Sequence, residues 1–214
     1  MFADTHKIIA TNIYDSVYHK YGLKLHKKKL LWGSIAPDIL PKYRFIRHYK
    51  DESIDYIAKE IIKIIYISRY IEFNNILDPI AIKILSKKIG IISHYLADYV
   101  CLPHANRWTF TKSTNSMVNH IKYESDLNEF AKTFSFNKNI IDTSNIDIYD
   151  SKITGLKDKI TKYINDVVDE YLLINSLERD LNFASALNIK ITYFILYTIE
   201  TYSEELHRQF IFEF

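Results

Sequence analysis

Two pairs of residues, each a histidine and an acid four positions apart, are the clearest sign of chemistry in the sequence. "HYLADYVCLPH", residues 94–104, carries His94 and Asp98, and "HIKYE", residues 120–124, carries His120 and Glu124. On a helix, side chains at this spacing leave the same face one above the other. An imidazole and a carboxylate placed in this way can hold one divalent metal ion, and such nitrogen and oxygen ligands suit zinc.

Either pair alone is more often a surface ion pair than a metal site. The combination favours metal binding, because the two pairs follow one another with His104 between them. "GSIAPD" at 33–38 adds Asp38 in a predicted loop, and "HYKDES" at 48–53 adds His48 just before a predicted helix. The sequence therefore predicts a metal site whose ligands come from several segments.

Long helices are the elements that must position these groups. The chain of 214 residues has only 4 Gly and 4 Pro, which favours long helices over many tight turns. From Ile54 to Ser68 the apolar residues recur at steps of three and four, as on one face of a helix of roughly 20 residues. Similar patterns predict helices at about 4–20, 79–100, 116–133, 153–176 and 179–210, with Asp78 and Pro79 as start signals for the second, and a long loop at 137–151.

Composition predicts one all-α domain over residues 1–214, a single compact fold of five to seven helices. The 48% of hydrophobic residues can fill one core, and neither an internal repeat nor a dividing linker is visible. A formal net charge of +2 names no partner, and the single Cys101 has no partner for an internal disulfide. The N-terminus lacks the apolar stretch of a secretion signal, and no apolar stretch is long enough to span a bilayer. We expect a cytoplasmic protein without a transmembrane segment.

The ordered set of motifs resembles a known family, the bacterial zinc-dependent phospholipases C, together with the fungal zinc nucleases that share their helical fold. The resemblance covers about residues 1–125, and it starts with "ADTH" at 3–6, continues through "GSIAPD" and "HYKD", and ends with the two histidine-acid segments. Its most specific part is H-x3-D-x5-H, matched by His94, Asp98 and His104, and followed on the next predicted helix by H-x3-E.

The resemblance implies an all-α fold of the zinc-dependent phospholipase C type and a zinc-dependent phosphoric-ester hydrolase, in which a metal-bound hydroxide attacks phosphorus. It implies a cluster of three zinc ions, of which two are expected here and the third stays open. Asp38 is expected to bind zinc and to orient or deprotonate the attacking water. The implied ligands are Asp38, His48, His94 and Asp98 for one ion, His104, His120 and Glu124 for a second, and His6, a bridging Asp98 and the amine and carbonyl of Met1 for the third.

Two departures from the family pattern concern the ligands. In the family the first residue is a tryptophan exposed by removal of a signal peptide, whereas this chain starts with Met1 and shows no signal. The third ion therefore depends on whether the amine of Met1 reaches the site. In addition, Pro103 stands directly before His104, where relatives often place another residue between them.

Three alternatives remain open at the level of the sequence. The chain could be a nuclease-like phosphodiesterase, a non-catalytic zinc-binding helical protein, or a metal-free helical interaction module. The implied partner is a phosphoester, whether a lipid head group or another; no specific nucleic acid is indicated, and peripheral membrane contact stays open. Arg107 and Trp108 are candidates for the pocket rim, whereas His19, His26 and His207 lie outside the matched motifs.

Overall fold

The computed structural model describes residues 1–69, 79–108, 114–137, 140–141 and 155–201. Within these ranges the chain forms nine α-helices and one short 3-10 helix, with no β-strand. The α-helices are α1 (Ala3–Tyr21), α2 (Lys27–Gly33), α3 (Ala36–Ile39), α4 (Lys50–Ser68), α5 (Pro79–Tyr99), α6 (Leu102–Ala105), α7 (Thr114–Ala131), α8 (Leu156–Tyr171) and α9 (Leu177–Glu200), and the 3-10 helix is Pro41–Tyr43. The predicted all-α class is confirmed.

The six long helices lie where the apolar patterns predict them, and the short ones were not predicted. Helix α8 is shorter at both ends than the predicted 153–176. Helices α2, α3 and α6 have only seven, four and four residues, too few for an apolar period to show in the sequence. Asp78, residues 202–210 and most of the predicted loop at 137–151 lie outside the described residues. The assignment of residues 1–214 to one domain stays a prediction.

Helices α5 and α9 form the centre of the packing. Both are apolar on most of their circumference, and α5 contacts α1, α2, α3, α4, α6 and α9. Ile89, Ile92 and Leu96 of α5 are buried, as are Leu187 and Ile195 of α9. A helix that is apolar all round is stable only when others surround it. In the part of the chain that is described, no helix is long and apolar enough to cross a membrane.

Two glycines allow α2 to lie directly against α5. A Cβ atom added to Gly33 would lie 2.3 Å from the carbonyl oxygen of Lys87, and one added to Gly90 would lie 2.2 Å from that of Leu30. Only residues without a side chain fit such a backbone contact. Because α2 leads directly into the segment that ends at Asp38, this contact sets the position of Asp38 relative to α5.

The chain reverses sharply after α5. The N–H of Cys101 donates to the carbonyl of Asp98 at 3.1 Å, and α6 then begins at Leu102. Pro103 stands in the first turn of α6, where a helix does not need the missing N–H group. The proline before His104 therefore starts a new short helix, and this helix keeps His104 close to the end of α5.

Candidate metal centre

The candidate ligands meet where the end of α5 lies beside the first turns of α1 and the middle of α7. Three groups of His, Asp and Glu side chains have potential ligand atoms within 4.8 Å of one another. The groups are Asp38, His48 and His94; His104, His120 and Glu124; and His6, His94 and Asp98. Every ligand side chain predicted from the sequence belongs to one of them, although zinc binding by these residues stays a prediction.

The first group surrounds the Oδ1 atom of Asp38. This oxygen lies 3.7 Å from His48 Nδ1 and 3.5 Å from His94 Nε2, and the two nitrogens are 3.2 Å apart. His94 Nδ1 donates to the carbonyl of Ser34 at 2.8 Å. This hydrogen bond leaves the lone pair of Nε2 directed at the site, which is the usual orienting contact of a metal-binding histidine.

The second group surrounds the Oε1 atom of Glu124. His104 Nε2 and His120 Nε2 each lie 3.0 Å from this oxygen. His120 Nδ1 donates to the carbonyl of Trp108 at 2.8 Å, so Nε2 again faces the other candidate ligands. The i, i+4 spacing of His120 and Glu124 on α7 therefore places both on one face, as predicted.

Asp98 connects the groups, because its two carboxylate oxygens have different neighbours. Oδ2 lies 2.8 Å from His48 Nδ1 and 3.4 Å from His94 Nε2. Oδ1 lies 3.4 Å from His6 Nε2 and 2.7 Å from the amine of Met1. One carboxylate therefore faces both the first group and the third, which is the arrangement that a bridging ligand requires.

The amine of Met1 reaches the cluster. Besides Asp98, it lies 2.9 Å from Glu124 Oε1 and 3.3 Å from His104 Nε2. The Met1 residue is buried, with 5% of its surface exposed. The geometry thus places the amine between the second and third groups, and its role as a ligand of a third ion stays a prediction.

The state of His6 tests whether a metal fits here. His6 is fully buried on α1, and neither of its ring nitrogens has a hydrogen-bond partner among the described residues. Its ring stacks on that of His94 with centroids 4.0 Å apart. Leaving a buried polar atom unsatisfied costs about 1–3 kcal/mol. A cation between His6 and Asp98 would satisfy the Nε2 atom of this ring, which lies 3.4 Å from Asp98 Oδ1, so the donor set fits a metal.

The carboxylates of the cluster are ionised in spite of their burial. Burial alone raises the pKa of Asp98, but His104 and the Met1 amine outweigh it and hold this pKa well below its usual range. The pKa of Glu124 is lowered as well, because hydrogen bonds from His104 and His120 outweigh the desolvation. Ionised carboxylates are the form that binds metal.

Four histidines of the cluster fall into two kinds according to the direction in which their pKa is shifted. Burial lowers the pKa of His6 to about 3, with the charge of His94 adding to the effect, and burial likewise lowers the pKa of His104. Burial also acts on His48 and His120, but the hydrogen bonds to Asp98 and Glu124 outweigh it and raise both pKa values. At neutral pH His6 and His104 are therefore neutral, which is the form that binds metal. The raised pKa values of His48 and His120 mean that a metal must compete more strongly with a proton at these two rings.

Two adjoining cavities give access to the cluster. One, of about 260 Å³, is lined by Met1 and by ligands of all three groups. The other, of about 320 Å³, extends along residues 43–49. Asp38, His48 and His104 line both. The Asp38 side chain is 42% exposed, against 1% for Asp98, so Asp38 is the carboxylate with most access to a substrate or to water.

A buried acid that the sequence did not single out supports the second group. Asp180, at the start of α9, accepts hydrogen bonds from the N–H of Leu102 at 3.1 Å and from the hydroxyl of Tyr123 at 3.0 Å. Leu102 begins the helix that carries His104, and Tyr123 precedes Glu124. No pattern along the chain connects Asp180 to these residues, because the contacts span 78 and 57 positions.

The two residues proposed for the pocket rim, Arg107 and Trp108, do not line either of these two cavities. Arg107 pairs with Glu52 and Asp51 at 2.7 and 3.2 Å, and its guanidinium lies 5.0 Å from the centre of the Tyr49 ring. Trp108 contributes its carbonyl to His120 while its ring packs against Tyr123. His26 caps α2, His19 is exposed at the end of α1, and His207 lies outside the described residues.

Comparison with known proteins agrees with the motifs. A family model described as zinc dependent phospholipase C matches residues 5–177, which is more than half of the chain. The match includes every candidate ligand side chain from His6 to Glu124. No curated protein matches the chain, and no solved structure does.

Proposed function

The chain belongs to the zinc-dependent phospholipase C family, and from this membership we propose that it is a zinc-dependent hydrolase of phosphoesters. The observation that carries the proposal is the geometry of Asp98, whose two oxygens face two groups of candidate ligands. A purely structural metal site is typically closed by four ligands. Here the ligands instead adjoin a cavity that is open to substrate.

The proposed ligands follow the three groups. Asp38, His48, His94 and Asp98 hold one zinc ion; His104, His120 and Glu124 hold a second; and His6, Asp98 and the amine and carbonyl of Met1 hold a third. The orphaned ring of His6 and the position of the Met1 amine support the third ion. When bound, zinc lowers the pKa of coordinated water and stabilises the charge that develops on phosphate oxygens.

Asp38 is the proposed catalytic residue among the protein's own groups. Its contacts with His48 and His94 both use Oδ1, and we assign its second oxygen to the attacking water. Burial raises the pKa of Asp38, but the nearby His94 outweighs it and lowers this pKa. Asp38 is therefore ionised at neutral pH, so it can accept a hydrogen bond from water and then its proton.

Contacts outside the candidate ligand set, together with burial, hold several of the ligands in fixed positions. The carbonyls of Ser34 and Trp108 fix the rings of His94 and His120, so neither ring has to reorganise during the reaction. Asp98 is almost fully buried, which keeps its oxygens from exchanging partners with solvent. Such preorganised ligands lower the barrier because their positions are set before substrate binds.

Turnover and metal content measured together test the proposal. Protein purified without added metal should contain zinc and should hydrolyse at least one member of a panel of phosphodiesters, phosphomonoesters and phospholipids. Asp38→Asn should reduce kcat/KM by several orders of magnitude, with an unchanged far-UV circular dichroism spectrum. Asp126→Asn, which alters an exposed aspartate on α7, is the matched control and should be neutral.

Three outcomes would count against the proposal in different ways. Stoichiometric zinc without turnover of any phosphoester favours the non-catalytic zinc-binding alternative. Absence of zinc favours a metal-free helical module. An unchanged rate in Asp38→Asn removes this residue from the mechanism while leaving zinc-dependent hydrolysis intact.

A further inference from the structure

The segment between α3 and α4 forms one wall of the cavity beside Asp38. Arg44 and Arg47 belong to this wall, and His48 and His104 line the same cavity. Both arginines are exposed. The two guanidinium groups and the candidate metal ligands therefore border one space of about 320 Å³.

Neither arginine is neutralised by any part of the chain that the structure describes. Within the described residues, no hydrogen bond or ion pair involves the side chain of Arg44 or Arg47. Arg107 on the neighbouring α6–α7 connection differs, because its guanidinium is paired with both Glu52 and Asp51. The positive charge on the cavity wall is thus left for a ligand.

The acid on the same wall is Asp38, and in the proposed function its charge is taken up by zinc. The wall then carries a net positive charge, which attracts anions and repels a quaternary ammonium group.

We propose that Arg44 and Arg47 form an anion subsite that makes the enzyme select phosphoesters with a second negatively charged group. The inference rests on the proposed function, since it concerns the substrate of the same metal centre. A guanidinium binds phosphate or carboxylate oxygens through paired, charge-assisted hydrogen bonds. The second group is a phosphate or a carboxylate on the alcohol next to the scissile phosphoester, in a lipid head group or in a soluble ester.

Binding of two ligands that resist hydrolysis tests the subsite. n-Butylphosphonate and butane-1,4-bisphosphonate share one carbon chain and differ only in the second anion. Titration calorimetry on zinc-loaded protein at fixed ionic strength should show the bisphosphonate bound about tenfold more tightly or better, as expected for added charge-assisted hydrogen bonds. The double variant Arg44→Gln/Arg47→Gln should bind both ligands within about twofold of each other.

Lys42→Gln is the matched control, because it removes one positive charge from the same segment. Lys42 does not line the cavity, and its ammonium lies 4.8 Å from the centre of the Tyr43 ring. This variant should keep the preference of the parent protein. Equal binding of the two ligands by the parent protein would overturn the subsite, as would a preference that survives in the double variant or disappears equally in Lys42→Gln.

Hydrolysis then identifies the source of the second anion and separates this inference from the proposed function. Dihexanoyl phosphatidylinositol 4-phosphate should be cleaved with a higher kcat/KM than dihexanoyl phosphatidylinositol. If the deacylated forms of these two lipids show the same preference, the subsite also serves soluble esters. If they show no preference, the subsite serves lipids. No hydrolysis together with the predicted binding preference contradicts the proposed function and supports the anion subsite.

Discussion

Asp98 Oδ2 lies 2.8 Å from His48 Nδ1, across 50 positions of the chain, while the other oxygen of the same carboxylate lies 2.7 Å from the Met1 amine. His48 belongs to the group around Asp38, and the amine of Met1 lies 2.9 Å from Glu124 Oε1 in the group of His104 and His120. One side chain near the end of α5 therefore contacts residues from two other parts of the chain. Four predictions follow from this arrangement and a fifth from the packing beneath it.

Asp98→Asn should remove more than one zinc ion. The amide retains the size of the side chain but loses the negative charge that both groups use, so both should bind zinc more weakly. We expect at least two fewer zinc ions per chain. Because the zinc ions take part in catalysis, kcat/KM should also fall by about a thousandfold or more. Metal analysis by mass spectrometry and steady-state kinetics measure both effects. Loss of a single ion would show that Asp98 serves one group.

Glu124→Gln should remove one zinc ion and leave the others. Glu124 Oε1 contacts His104 and His120, whereas the ligands around Asp38 do not include it. The variant should therefore differ from Asp98→Asn by retaining the zinc that is bound through His48. Glu129→Gln alters an exposed glutamate on the same helix and should retain the full zinc content. A full zinc content in Glu124→Gln would exclude this carboxylate as a ligand.

An extension before Met1 should abolish the third zinc in a protein that begins with this residue. Two added residues, Gly-Ser, would move the amine away from its position 2.7 Å from Asp98, and the buried Met1 leaves little room for them. We expect one zinc fewer per chain and a lower rate. The same two residues added after Phe214 serve as the control. Unchanged zinc in the N-terminally extended protein would remove the amine from the ligand set.

The metal-free protein should lose stability as the pH falls below about 6.5. Burial and the charge of His94 lower the pKa of His6 from 6.5 to about 3 in the folded state. Between these values the unfolded chain binds a proton that the folded chain does not, so acid favours unfolding by about 1.4 kcal/mol per pH unit for this proton. Urea unfolding at pH 7, 6 and 5 with a chelator present measures the slope.

His6→Asn should make this pH dependence shallower by about one proton. A slope that is the same in His6→Asn and in the parent protein would show that His6 is protonated equally in the folded and unfolded states.

Gly90→Ala should weaken both the fold and the first metal group. The added methyl group would lie 2.2 Å from the carbonyl of Leu30, so α2 must move away from α5. We expect a loss of about 1–3 kcal/mol in the free energy of unfolding, as for other overpacked cores. Zinc affinity should also fall, because Ser34 and Asp38 follow α2. Ile84→Ala, on the exposed side of α5, should have little effect on zinc. Unaltered zinc affinity in Gly90→Ala would separate the helix contact from the site.

Local patterns in the sequence were sufficient for the helical class and for most of the candidate ligands, whereas His6 and Met1 came from the family resemblance. The six long helices follow from apolar residues at steps of three and four, and the pairs His94–Asp98 and His120–Glu124 follow from the geometry of one helical turn. These features depend on neighbours within a few positions, so they can be read along the chain. The distribution of ligands among three ions came from the family resemblance, and only the tertiary structure shows which side chains lie together.

The tertiary structure decided what depends on contacts between distant segments. It placed the two oxygens of Asp98 against different groups and brought Asp180 into contact with Leu102 of α6 and Tyr123 of α7. It also placed Arg44 and Arg47 beside the cavity with no ion-pair partner among the described residues. Such relationships join residues tens of positions apart and are set by how helices pack, as at Gly33 and Gly90. The sequence alone therefore determined which side chains are available for chemistry, and the packing of the helices determined which of them share a site.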